Sequence, residues 1–292
     1  MTGVPAAAPL EVSAKRGLMR DALRRHPTMI IGLALLLGMI LMAIFAEYLG
    51  TIDPQALSPV RRLRQPSELH WFGTDMLGRD VYSRTVYGAR ISLIVGISVA
   101  VLSIAIGLFF GLITGYVRLA DTVLMRVMDG LMSIPPILLA IALMALTKAS
   151  LENVIIAITI AEIPRVTRLV RSVVLGLREQ PFVEAAVASG TRFHHVLLRH
   201  ILPNTVAPLL VQGTYICASA MITEAILSFI GAGTPPTIPS WGNIMAEGRS
   251  VFQIAYYIIL FPGIFLSVAV LAVNLVGDGL RDALDPRLAR RM

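Results

Sequence analysis

Charge is what this chain is shortest of. Of its 292 residues only 15% are Asp, Glu, Lys or Arg, where a soluble domain carries about a quarter. A full 56% are hydrophobic and the mean hydropathy is +0.76. A soluble globular class is therefore excluded and a membrane protein is expected. The single cysteine, Cys217, lies inside an apolar run, so no intrachain disulfide can form and it reads as a small packing residue. Lysine is confined to Lys15 and Lys148. The formal net charge of +7 comes from basic residues scattered between apolar runs, without the stripe that binds nucleic acid. Nothing matches G-x-x-x-x-G-K-[ST], so the chain has no cradle for nucleotide phosphates. No catalytic, cofactor-binding or metal-binding residue is assigned.

What the chain does have is long apolar runs. Thr28 to Leu49 follows a basic tail containing Lys15, Arg16, Arg20, Arg24 and Arg25. It is too long for a signal-peptide core and ends without an A-x-A site, which predicts an uncleaved span. Further runs cover Ile91 to Val117, Ser133 to Leu146 after a polar link from Arg118 to Asp129, Thr205 to Ile230, and Tyr256 to Val276. Val154 to Ile163 is long enough to cross only if it continues past Pro164. The sum is an all-α, polytopic membrane fold with about six transmembrane helices. Its expected divisions are an N-terminal tail at 1–27, a first membrane helix at 28–50, a polar loop at 51–89, a helical core at 90–280 interrupted by a polar island at 178–204, and a C-terminal tail at 281–292.

Within the second run Gly107, Gly111 and Gly115 recur every four residues, a spacing that lets helices approach closely in lipid and reports packing. Arg165, Arg168 and Arg171 recur every three residues; snorkelling and topology explain them more simply than contact with a partner. Glu162 and Glu224 are acids within apolar runs, and Glu224 needs a polar partner or a wet cavity. It is read with equal weight as facing a pathway or as bonding a helix to a loop.

The stretch that organises the chain is the island. Glu184-Ala185-Ala186-Val187-Ala188-Ser189-Gly190 leads through Thr191 to His200 and then Ile201-Leu202-Pro203-Asn204. Pro181 suits a first helical turn, Glu184 favours the positive end of the dipole, and Gly190 permits a bend. Leu202-Pro203 is expected to stop the second short helix. The small face suits a docking knob better than an active site.

A second stretch, His70-Trp71-Phe72-Gly73-Thr74-Asp75-Met76-Leu77-Gly78-Arg79-Asp80, brackets a tight turn with two glycines. His70, Asp75 and Asp80 lack a strong ligand spacing, so a packed, salt-bridged elbow is favoured over a metal site. A third, Gly231 through Pro235-Pro236 to Pro239-Ser240-Trp241-Gly242, reads as a rigid loop that Trp241 can anchor.

The Glu-Ala-Ala…Gly…Leu-Pro pattern resembles the cytoplasmic loop of ABC-importer permeases that inserts into the ATPase subunit. His200 stands where many of these permeases have isoleucine. Arg199-His200-Ile201-Leu202-Pro203-Asn204 instead resembles the dipeptide/oligopeptide/nickel subfamily. The elbow with Ser83-Arg84 and Gly88 to Leu93, the segments Glu224 to Gly231 and Glu247-Gly248-Arg249, and the closing Leu284-Asp285-Pro286-Arg287 resemble its C-type subunits. The resemblance implies an ATPase-docking loop carried by Glu184, Ala185, Ala186, Gly190, His200, Leu202 and Pro203. Glu224, Pro235, Pro236 and Trp241 are candidates for a pathway or gate. It further implies a B-type permease partner, two ATPases that bind ATP and Mg, an extracytoplasmic substrate-binding protein, and the inner membrane of a prokaryote. Di- or oligopeptides are the expected cargo, with nickel or another small solute as the alternative.

With both termini and the island cytoplasmic, most of the 25 Lys and Arg residues fall inside, as the positive-inside rule requires. Arg61, Arg62, Arg64, Arg79, Arg84 and Arg90 fall outside and run against it. An ion-driven secondary transporter would need an intramembrane relay, for which Glu162 and Glu224 alone are thin.

Overall fold

The computed structural model describes residues 27–284, so the basic tail before Pro27 and the Asp285-Pro286-Arg287 ending lie outside the described residues. Ten α-helices follow one another: α1 (Pro27–Ile44), α2 (Val81–Tyr116), α3 (Arg118–Met132), α4 (Pro136–Ala145), α5 (Leu151–Arg178), α6 (Pro181–Ala188), α7 (Phe193–Val196), α8 (Leu202–Phe229), α9 (Trp241–Gly248) and α10 (Tyr257–Leu284). Among the described residues there is no strand, only an isolated antiparallel bridge between Thr74 and Asp80. The all-α expectation holds. Four helices are long and apolar enough to cross a membrane, and a fifth crossing appears if α3 and α4, bent by 88° to one another, count as one broken span.

Three boundaries differ from the pattern in the sequence. Helix α2 starts at Val81, ahead of the apolar run at Ile91, because Asp80 caps it: Ser83 N donates to Asp80 Oδ2 at 2.8 Å. Its first turns carry Arg84 and are polar, so hydropathy alone passes over them. Helix α5 runs unbroken through the buried Pro164, but Glu162, Arg165, Arg168 and Arg171 make it too polar to qualify as a span by composition. Leu202-Pro203 does not end a helix. A π-helical turn at Leu197–Ile201 joins α7 to α8, and Phe193–Phe229 runs on as one 37-residue rod. Pro203 falls in the first turn of α8, where a missing N–H is tolerated, and Asn204 Nδ2 donates to the His200 carbonyl at 2.6 Å.

The glycine repeat sets the central packing. A Cβ on Gly107, Gly111 or Gly115 would collide with Val166, Val170 or Val174 of α5 in turn. The same four-residue step on both helices means that α2 and α5 run side by side in the same direction, with backbones close enough to exclude any larger residue. Helix α8 runs the opposite way along α2, with Gly96 against Cys217 and Met221 and Gly213 against Ile104. Helix α1 lies antiparallel to α10, with Gly32 on Leu275 and Met29 on Gly279. The buried core, including Val99, Ile158, Val170, Ile216 and Met221, fills the space between these helices. Helix α2 has 36 residues, a length of about 54 Å. It therefore connects two polar ends: an elbow end, built from 51–80 and 231–256, and an island end, built from 178–204.

Candidate functional site

At the island end, helix α6 opens with Pro181 in its first turn and closes in a Schellman motif. Gly190 N donates to Val187 O at 3.0 Å and Thr191 N to Ala186 O at 3.1 Å, with Gly190 at φ +77°. A Cβ on Gly190 would meet nothing within 4 Å, so the left-handed backbone, not space, is what calls for glycine. Val183, Val196 and Ile201 are buried and seat the island on the core. The other face is open. Glu184, Ala185 and Ala188 are exposed, together with Phe182 (45%), Val187 (51%) and Leu198 (58%). Large apolar side chains at those exposures form a face left uncovered by the described residues, flanking one acid. His200 is half-buried, with its ring 6.3 Å from that of Phe182, while Leu202 is half-buried and Pro203 exposed.

Side chains fasten the island to the helices beside it. Arg178 Nη1 donates to the Gly115 carbonyl at 3.0 Å and its guanidinium lies 4.8 Å over the Tyr116 ring. Tyr116 in turn packs on Phe193 with ring centroids 4.4 Å apart. Arg171 donates to both carboxylate oxygens of Asp121 at 2.5 and 2.8 Å, and Arg168 to Asp129 at 2.7 Å, clipping α3 to α5. Arg165 pairs with Glu162 at 3.1 Å. Arg165, Arg168 and Arg171 are thus each paired with a carboxylate of the chain.

The elbow end is the opposite in character. Arg84, 1% exposed, donates to Asp75 Oδ2 at 2.7 Å and to both oxygens of Glu247 at 2.5 and 3.0 Å. Arg79 donates to Asp75 Oδ2 at 2.6 Å and to Glu247 Oε2 at 2.5 Å. Two arginines and two carboxylates thereby knit the elbow, the first turn of α2 and α9 into one neutral cluster. His70 Nδ1 lies 2.9 Å from Asp80 Oδ1, the second oxygen of which caps α2. Among the described residues no group of three or more His, Cys, Asp or Glu side chains could hold a metal ion. The salt-bridged elbow is what forms.

The candidate gate residues lie beside this cluster. Trp241 is fully buried, its Nε1 donating to the Thr85 carbonyl at 2.9 Å. Glu224 is fully buried and accepts from Ser228 Oγ at 2.8 Å, while Thr234, Ser240 and Asn243 continue the polar contacts toward α9. Its Oε2 has no hydrogen-bond partner among the described residues. Pro236, with Arg79, Thr237 and Glu247, borders an open depression of about 460 Å³. Helix α9 was not visible as a helix in the sequence; its one signal is Ser240, whose Oγ accepts from Asn243 N at 3.2 Å. The link from Arg84 to Glu247 spans 163 positions and had no local signal.

Of the six arginines between Arg61 and Arg90, Arg79 and Arg84 are paired in this cluster. Arg90 donates to the Ala43 and Ile44 carbonyls and the exposed Arg62 to that of Met76, while Arg61 and Arg64 are exposed loop residues.

Residues 103–290 match the family model described as the binding-protein-dependent transport system inner membrane component. Residues 17–66 match the N-terminal transmembrane domain of oligopeptide transport permease C. A probable peptide ABC transporter permease of Sinorhizobium fredii is 57% identical over 92% of this chain and 92% of its own length. A dipeptide transport system permease of Alkalihalophilus pseudofirmus is 43% identical over 91% of this chain and 88% of its own. A glutathione transport system permease of Pectobacterium atrosepticum is 42% identical over 94% and 91%. With matches of that extent and a bundle of apolar helices to carry them, the chain belongs to the inner-membrane permease components of binding-protein-dependent ABC transport systems.

Proposed function

We propose that this chain is one half of the translocation pathway of an ATP-driven importer of di- or oligopeptides, and that the island is where its ATPase docks. The observation that carries the docking assignment is the open face of α6: small residues, exposed Phe182 and Val187, and Glu184 project away from a helix seated on the core by Val183. Such a face fits a cleft in a soluble subunit. ATP and Mg are held by two partner ATPases, and a B-type permease and an extracytoplasmic binding protein complete the assembly.

Six crossings suit this geometry. Helix α5 lies along α2 in the same direction and is 28 residues long, about 42 Å. Arg165, Arg168 and Arg171 on it pair with Glu162, Asp129 and Asp121. Counting it and the bent α3–α4 pair, the start of α1 and the end of α10 share a side with the island, which is then the cytoplasmic one. The elbow and Pro235-Pro236 face the exterior, where Glu224 and Trp241 stand near the depression as candidate gate elements. Closure of the ATPases displaces the island, and the helices exchange the side that is open. The glutathione permease among its relatives makes a modified tripeptide the second cargo to test.

The test is transport and ATP hydrolysis by the complex in liposomes with Glu184→Lys and Gly190→Phe. Hydrolysis that continues while peptide uptake collapses is expected. Normal transport by both variants would remove the docking assignment.

A further inference from the structure

The docking helix joins α5 through the short link Glu179-Gln180 and joins α8 through α7 and a π turn. Neither covalent route reaches α2 directly, yet α2 runs from the island to the buried ion cluster, to which it contributes Arg84. The bridge between them is made of side chains. Arg178, just before α6, bonds the Gly115 carbonyl and lies over Tyr116; Phe193, just after it, packs against the same ring. Both flanks of the docking helix therefore grip the last turn of α2 through one tyrosine.

We propose that Arg178, Tyr116 and Phe193 form a coupling clasp that delivers displacement of the docking helix to α2. The proposal rests on the docking reading above and adds the residues that receive the motion. Two features make α2 the receiver. Its glycine face meshes with Val166, Val170 and Val174, so α2 and α5 move as one piece instead of sliding. On the far side of the island the π turn offers a place to bend, since π-bulges are one of the few causes of sharp helix kinks. A push on α6 is thus stiffly linked to α2 and more loosely linked to α8. Seating by Val183, Val196 and Ile201 holds the island in place but makes no such distinction between helices. The three clasp residues are positioning residues: they touch neither nucleotide nor cargo.

The experiment uses the complete complex in liposomes and reads ATP hydrolysed per peptide imported, alongside the amount of ATPase that co-purifies. Tyr116→Leu, Phe193→Leu and Arg178→Gln are expected to keep the ATPases bound and hydrolysing while uptake falls roughly tenfold, the scale on which residues remote from both ligands alter coupling. Tyr116→Phe keeps the ring and is expected to couple normally. Unchanged coupling in Tyr116→Leu and Phe193→Leu would overturn the clasp. Loss of bound ATPase in step with uptake would also overturn it, since the residues would then only hold the island in shape. Glu184→Lys serves as the reference: if it stays uncoupled while the clasp variants transport normally, the docking reading stands and the clasp alone fails. If Glu184→Lys couples normally, the docking reading fails and the clasp falls with it.

Discussion

The two polar ends of this protein solve opposite problems. At the elbow end, Asp75, Arg79, Arg84 and Glu247 are buried or nearly so, and each charge is answered by another within the chain. At the island end, Glu184 and the large apolar side chains around it are exposed. Charge that is satisfied internally fixes a shape; the exposed face is the one proposed to dock. One end is therefore expected to answer to stability measurements, and the other to measurements of coupling.

The sharpest test of this contrast is Arg84→Met. It removes one of the two cations that Asp75 and Glu247 share, leaves Arg79 alone between two carboxylates, and is expected to cost about 3–5 kcal/mol, read as a lower thermal midpoint and less folded protein in detergent. Glu184→Lys, by contrast, is expected to leave the midpoint within about 0.5 kcal/mol. Equal losses from both would erase the distinction. Gly111→Leu attacks the beam between the ends by driving a side chain into Val170. Overpacking there is expected to cost about 1–3 kcal/mol, with weaker transport as well as a lower midpoint. At the island, Gly190→Ala is expected to lose about 1–2 kcal/mol from the left-handed backbone, whereas Gly190→Asn, which tolerates that conformation, loses less. If Asn restores stability but not transport, the open space beside Gly190 is where the partner fits. The smallest effect is expected from Asp129→Asn, whose pair with Arg168 is about half-exposed and is worth about 0.2–1 kcal/mol.

Much of the architecture was written in local patterns. Apolar runs mark the four helices long and apolar enough to cross a membrane, the four-residue glycine step marks a closely packed face of α2, and Gly190 marks the end of α6. What escaped was set by tertiary context. The start of α2 depended on Asp80 rather than on hydropathy, and the continuity of α7 with α8 depended on a π turn that accommodates Pro203. The candidate docking face was legible because it is contiguous in sequence. The elbow cluster was only half legible: Asp75 and Arg79 are neighbours that pair as expected, but Glu247 comes from a short helix with little local signal, far away in the chain. Arg178, Tyr116 and Phe193 carried no motif, and only their meeting in space singles them out.

The central claim is that the two ends face opposite sides of the membrane, with the island toward the ATPase. It can be tested with single cysteines in a Cys217→Ala background, using a membrane-impermeant maleimide. Ala185→Cys, at the exposed island, is expected to label in inside-out vesicles and not in intact spheroplasts; Ser250→Cys, at the exposed elbow end, is expected to label in the reverse pattern. Labelling of both positions from the same side, or of Ala185→Cys from outside the cell, would contradict the account.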